Sequence, residues 1–215
     1  TEHSGDIFRS TDGSTWTRIH DDGDGVIGCG LAELGGTLYA VNYDYQRSKN
    51  GKVLRLQGGA FSTVFDSAAR PLYLREIVSY KGKLYAFGVE NGQGKMLVSA
   101  DGQSFQQSTV PQRYFRAHVW GGYLWLGSAA LHASGKTSIW RYDGATFVEV
   151  HPEPQRSHVA ALQAAHGTLF AATSNGWKTA SGPSTLLVRT PGVAPGQQTS
   201  WTTICTFSET ATWAL

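Results

Sequence analysis

The chain has 215 residues, 40% of them hydrophobic and 16% charged, the size and balance of one or two globular domains. Eighteen Lys and Arg against 16 Asp and Glu leave a net charge of +2 with no clustered basic run, which argues against nucleic acid or an anionic membrane as the main partner. No apolar run reaches the roughly 18–20 residues of a spanning helix, so no membrane insertion is expected, and 26 glycines with a single methionine favour strands and tight turns over helices.

In chain order, the first predicted elements are two short strands, residues 7–10 and 15–19, joined by the turn phrase STDGST. The sequence then repeats itself. Four stretches, 26–66, 74–110, 116–150 and 158–204, each predict four strands, A to D, with a glycine turn between A and B and a tight turn between C and D. The B strand reads GTLYAV at 36–41, GKLYAF at 82–87, GYLWLG at 122–127 and GTLFAA at 167–172. The aromatic that opens the D strand falls at Trp16, Phe61, Phe105, Phe147 and Trp201, at intervals of 45, 44, 42 and 54 residues. The longer last interval contains the loop insertion TPGVAPGQQ. At the end, ATWAL (211–215) reads as one more A strand.

A four-stranded unit recurring every 40–45 residues predicts an all-β chain folded as a β-propeller of four-stranded blades. A β-helix would need much shorter repeats, and a sandwich would not repeat its sequence. The expected form is a single domain, 1–215, closed as a five-bladed ring in which residues 206–215 join residues 1–20 in one thin blade. Closure removes exposed sheet edges. The alternative is part of a larger propeller, with assembly to another chain at the incomplete blade.

The opening phrase carries a resemblance. Ser10, Asp12, Gly13, Thr15 and Trp16 match the short form of the Asp-box; Ser99, Asp101, Gly102, Ser104 and Phe105 match it well; Asp143, Gly144, Thr146 and Phe147 keep part. The chain thus resembles the Asp-box (BNR-like) repeat propellers, whose turn motif is shared with sialidases. The resemblance implies a structural turn lying away from any catalytic face, so it carries no activity here. Physically, the Asp carboxylate accepts from turn N–H groups, glycine supplies positive φ, and the aromatic wedges between neighbouring sheets.

If the A–B and C–D turns share one rim, the longer B–C and D–A loops share the other, and a binding face is expected there. That rim gathers the candidate ligand-binding residues Tyr43, Tyr45, Arg47, Tyr73, Arg75, Arg113, Tyr114, Arg116, Arg156, His158 and Trp177. Aromatic faces suit sugar rings or peptide side chains, and Arg forks suit carboxylate or sulfate. The same residues would also fit as cover over blade edges or as ion-pair partners of Asp66, Glu76 and Glu153.

DDGDG (21–25) reads as a solvated turn, since it lacks the spacing of a calcium loop. His118 reads as a packed or hydrogen-bonded strand residue. Neither His151 with His158 nor Cys29 with Cys205 suggests a metal site, and no cofactor is expected; the cysteines read as buried thiols ahead of a bridge. The Arg-Ile-Pro phrase that accompanies the first sialidase arginine is missing, and ARPLYLRE (69–76) resembles it only superficially. Catalytic residues are therefore not assigned. The expected function is a non-catalytic binding or scaffolding propeller, extracellular or at the cell surface, with a glycan or protein ligand; a sialidase-like glycoside hydrolase is the alternative.

Overall fold

The computed structural model describes residues 5–23, 25–46, 50–68, 70–130, 137–153, 158–174, 184–189 and 201–207. The expected strand 211–215 lies outside them. Every regular element among the described residues is a strand, eighteen in all, arranged as one two-stranded and four four-stranded antiparallel sheets. The chain divides into two compact units, Thr1–Val110 and Pro111–Leu215.

In the first unit, β1 (Ile7–Arg9) pairs with β2 (Thr17–His20). Two sheets follow: β3 (Val26–Leu34), β4 (Thr37–Asp44), β5 (Gly51–Gln57) and β6 (Ala60–Asp66), then β7 (Leu72–Tyr80), β8 (Lys83–Glu90), β9 (Gln93–Ser99) and β10 (Gln106–Thr109). The second unit holds β11 (Tyr114–Trp120), β12 (Tyr123–Ser128), β13 (Thr137–Tyr142) and β14 (Phe147–Glu153), then β15 (His158–Ala165), β16 (Thr168–Ser174), β17 (Ser184–Arg189) and β18 (Trp201–Phe207). Each four-stranded sheet is a plain meander, so its strands occupy the predicted A-to-D positions.

The local chemistry explains the meander. All four A–B hairpins turn on two residues with positive φ, Gly35–Gly36, Lys81–Gly82, Gly121–Gly122 and His166–Gly167. This is the type I′ geometry whose twist matches that of the strands it joins. The B strands β4, β8 and β12 are largely buried on both faces, which is why the Leu-aromatic phrase has lost its alternation. D strands such as β10 lie mostly in solvent.

The Asp-Gly phrases build the expected hydrogen-bonded turn. Asp12 Oδ1 accepts from the N–H groups of Ser14 and Thr15, each at 2.8 Å, and Ser10 Oγ accepts from Gly13 N at 2.8 Å. Asp101 does the same with Gln103 and Ser104, and Asp143 with Ala145 and Thr146. These donated bonds favour the carboxylate and hold Asp12 down at about 2, with Asp101 lowered in the same way. In the third copy the serine is absent, and Tyr142 Oη donates to Gly144 O at 2.8 Å.

Three of the five D-strand aromatics are wedges between sheets. Phe61 packs with Ile7 and Ile19 of the two-stranded sheet, and Phe105 meets Phe65 of the preceding sheet at 5.7 Å between ring centroids. Trp201 meets Trp125 of the preceding sheet edge-on at 6.2 Å. Trp16 departs from the expectation: it is 61% exposed, and among the described residues β1 and β2 form only a two-stranded sheet. Phe147 stacks at 4.3 Å on Tyr142 of its own sheet. Cys205 is a free, half-buried thiol rather than a fully buried one.

One recurrent feature has no counterpart in the sequence phrases. Every A strand carries a bulge at the same place in its register, at Cys29, Arg75, Phe115 and Ala160. A bulge bends and twists the strand locally. Just before it, Leu74 points into the preceding sheet, where a Cβ at Gly51 would stand 2.8 Å from its Cγ. Val159 does the same against Gly127.

The two turn glycines Gly13 and Gly102 separate local strain from close packing. Gly13 and Gly102 both have positive φ, but a Cβ at Gly13 meets open space, whereas one at Gly102 collides with the Tyr39 hydroxyl of the preceding sheet. Gly13→Ala should therefore cost about 1–2 kcal/mol. Gly102→Ala should cost a further 1–3 kcal/mol or so from overpacking. Urea unfolding of the two variants checks this; equal losses would mean that Tyr39 simply moves aside.

Candidate functional site

The candidate rim residues fall mostly inside strands rather than in loops. Tyr43 lies in β4 and is buried, Tyr73 and Arg75 lie in β7, Tyr114 and Arg116 in β11, and His158 opens β15. Tyr45 and Arg113 alone among the described candidates occupy loops. Arg47, Arg156 and Trp177 lie outside the described residues.

Most of these side chains fasten one sheet to another. Arg75, the bulged residue of β7, lays its guanidinium 4.6 Å over the Tyr43 ring of the preceding sheet, while Tyr73 meets the same ring edge-on at 5.4 Å. Arg116 Nε donates to Ala160 O, the bulge carbonyl of the following sheet, at 2.6 Å, and Nη1 donates to Phe115 O at 2.8 Å. Tyr114 is fully buried beside Trp140 and Phe147, and burial, then Glu149, raises its phenol far above the ordinary range.

The pieces a glycosidase would draw on are engaged similarly. Asp66 Oδ1 accepts from Ala68 N and Asn50 Nδ2, and Glu76 Oε1 from Ile77 N. Among the described residues, no three His, Cys, Asp or Glu side chains gather as a metal site. His118 Nε2 accepts from Ala164 N at 3.2 Å, so its ring bridges β11 and β15 as a hydrogen-bonded strand residue.

A second guanidinium site, at Arg189, carries no signal in the repeat phrases. Arg189 is buried, with its guanidinium 4.8 Å over Trp120 and 5.2 Å over Trp125. Burial, then Arg141, lowers its pKa. A long loop insertion separates Arg189 from Trp201 in sequence, but the strands β17 and β18 pair them.

The DDGDG turn is not simply solvated. Asp21 stays outside, paired with Arg18 at 3.0 Å, but the Asp22 carboxylate is buried and receives Lys52 Nζ at 3.2 Å, His20 Nε2 at 2.9 Å and Asn42 Nδ2. Beside this cluster, still in the first unit, a cavity of about 380 Å³ lies between β1 and the sheet β3–β6. Its walls include Asp6, Gly28, Leu31, Ala40, Asn42 and Leu54. Asn42 is 2% exposed, and among the described residues none donates to its Oδ1 or to the buried Asp6 Oδ1.

No family model and no curated protein matches this sequence. The class is thus defined by the molecule itself: an all-β chain of repeated four-stranded antiparallel sheets.

His158 gives this region a pH signature. Burial, then the Arg116 charge, lowers its pKa from 6.5 to about 4. Between those values the unfolded chain binds a proton that the folded chain does not, so stability falls as pH drops through this window, by a few kcal/mol at most. Urea midpoints measured from pH 7 to pH 4 should show this slope, and His158→Gln should flatten it. An unchanged slope in the variant would assign the effect to other groups.

Proposed function

We propose that the chain is a five-bladed Asp-box-type β-propeller acting as a non-catalytic binding or scaffolding module, with a glycan or protein ligand held on the face built from B–C and D–A loops. The observation that carries this reading is the strict recurrence of one meander with an I′ hairpin between its A and B strands and one A-strand bulge. In every four-stranded sheet this puts the A–B and C–D turns at one end and the B–C connection, which ranges from the two residues Asn91–Gly92 to longer segments, at the other. Repetition of that kind suits a rigid scaffold that varies its loops. The structural engagement of Arg75, Arg116, Asp66, Glu76 and Tyr114 favours binding over catalysis. Tyr45 and Arg113 are the described loop residues best suited to meet a ligand.

Two measurements test the reading. Small-angle scattering of a closed, compact ring of this length should give a radius of gyration of about 17 Å. A glycan array followed by partner capture should yield a ligand whose binding weakens at least about fivefold in Tyr45→Ala or Arg113→Ala. A markedly larger radius would sink the closed ring. Ligands insensitive to both variants would remove the loop face.

A further inference from the structure

The four A strands can be superimposed on their bulges, and the comparison isolates one position. The residue before each bulge, paired with the B strand, is Leu74 opposite Gly88, Tyr114 opposite Ser128, and Val159 opposite Thr173. All three are large and essentially fully buried, at 0%, 0% and 1% exposure. In the sheet β3–β6 the same position is Gly28, opposite Asn42. A Cβ there meets nothing within 4 Å, and its φ is one that any residue adopts. Where Leu74 and Val159 fill the gap to a preceding sheet, Gly28 leaves the cavity of about 380 Å³ facing β1.

That void has the chemistry of a binding site. Ala40 and Leu54 pack with Ile7 to give it an apolar floor, and Leu31, 57% exposed, stands where it opens to solvent. Asn42 Oδ1 and Asp6 Oδ1 are both buried acceptors that receive no hydrogen bond from any described residue. A buried acceptor left unpaired is costly, and a ligand donor relieves that cost. The demand is for donors rather than for positive charge. Asp6 already faces Arg18 at 3.5 Å, and Asp22 behind Asn42 already faces Lys52 at 3.2 Å. Among the described residues no Lys or Arg lines the cavity, which disfavours an anionic ligand. The volume falls within the usual range of small-molecule pockets.

We propose that this cavity is a binding site for a neutral saccharide unit, whose hydroxyl groups donate to Asn42 Oδ1 and Asp6 Oδ1 while its C–H surface lies on Leu31, Ala40 and Leu54. Tyr45 is not among the residues that line the site, and the site does not depend on closure of a ring. Glycine at position 28 is what keeps it open.

The test is nuclear magnetic resonance of the full chain with the methyl glycosides of glucose, galactose, mannose and N-acetylglucosamine, and with cyclohexylamine as a cationic control. At least one glycoside should shift the Asn42 side-chain amide and the Leu31 methyl resonances. Gly28→Val, which places in this strand the residue that Val159 supplies in another, should abolish those shifts while leaving the protein folded and at least as stable. Asp6→Ala should weaken binding about tenfold. Tyr45→Ala should leave it unchanged, which separates this site from the loop face. The proposal is overturned if none of the glycosides shifts these resonances, if only cyclohexylamine does, or if binding survives Gly28→Val.

Discussion

The structure depends on a single recurring contact: a side chain next to the bulge of an A strand reaching into the sheet before it. A four-stranded meander has two faces and cannot bury either alone, so its stability comes from stacking on its neighbours. Leu74 against Gly51 and Val159 against Gly127 are the two fullest examples. Each pairs a large residue with a glycine across the interface, so that the sheets approach closely at that point. The Asp-Gly turn and the aromatic after it make a second such contact nearer the outer strands, where Gly102 lets the turn settle on Tyr39 and Phe105 reaches Phe65.

This arrangement accounts for the fate of the arginines. A bulge re-aims the side chain it carries, and Arg75 sits on one. Its guanidinium therefore lies over Tyr43, and Arg116, the residue after the bulge at Phe115, caps the bulge carbonyl of Ala160. Arg189 between Trp120 and Trp125 is a third cation held by the same logic, with aromatic faces compensating burial of the charge. Guanidinium groups that would suit a ligand carboxylate in sequence thus serve as fasteners between sheets. Where one position in the repeat is left without a side chain, at Gly28, the fastening is missing and a cavity stands in its place.

The electrostatics divide in the same manner. Asp12 and Asp101 are held as carboxylates by short local bonds within exposed turns, whereas Asp22 is held by groups from β2, β4 and β5 inside the unit. The first kind is a property of a six-residue phrase. The second exists only when three strands have come together.

The sequence by itself determined the local events: which residues form strands, where the A–B hairpins fall, and how the Asp-Gly turn closes. Each of these is decided by φ preference, period-two alternation or a hydrogen bond within a few residues, as at Gly121–Gly122 or Asp101. The tertiary structure alone decided which side chains became partners. Nothing within the phrases marks Arg75 or Ala160 as bulged, because a bulge is fixed by the fit of one sheet on another. For the same reason Tyr114 and His158, polar residues in what read as loops, ended buried, Trp16 stayed in solvent, and Asn42 and Asp6 were left as buried acceptors facing an empty position. A strand residue's role follows from the sheet packed against it, and that sheet is tens of residues away in the chain.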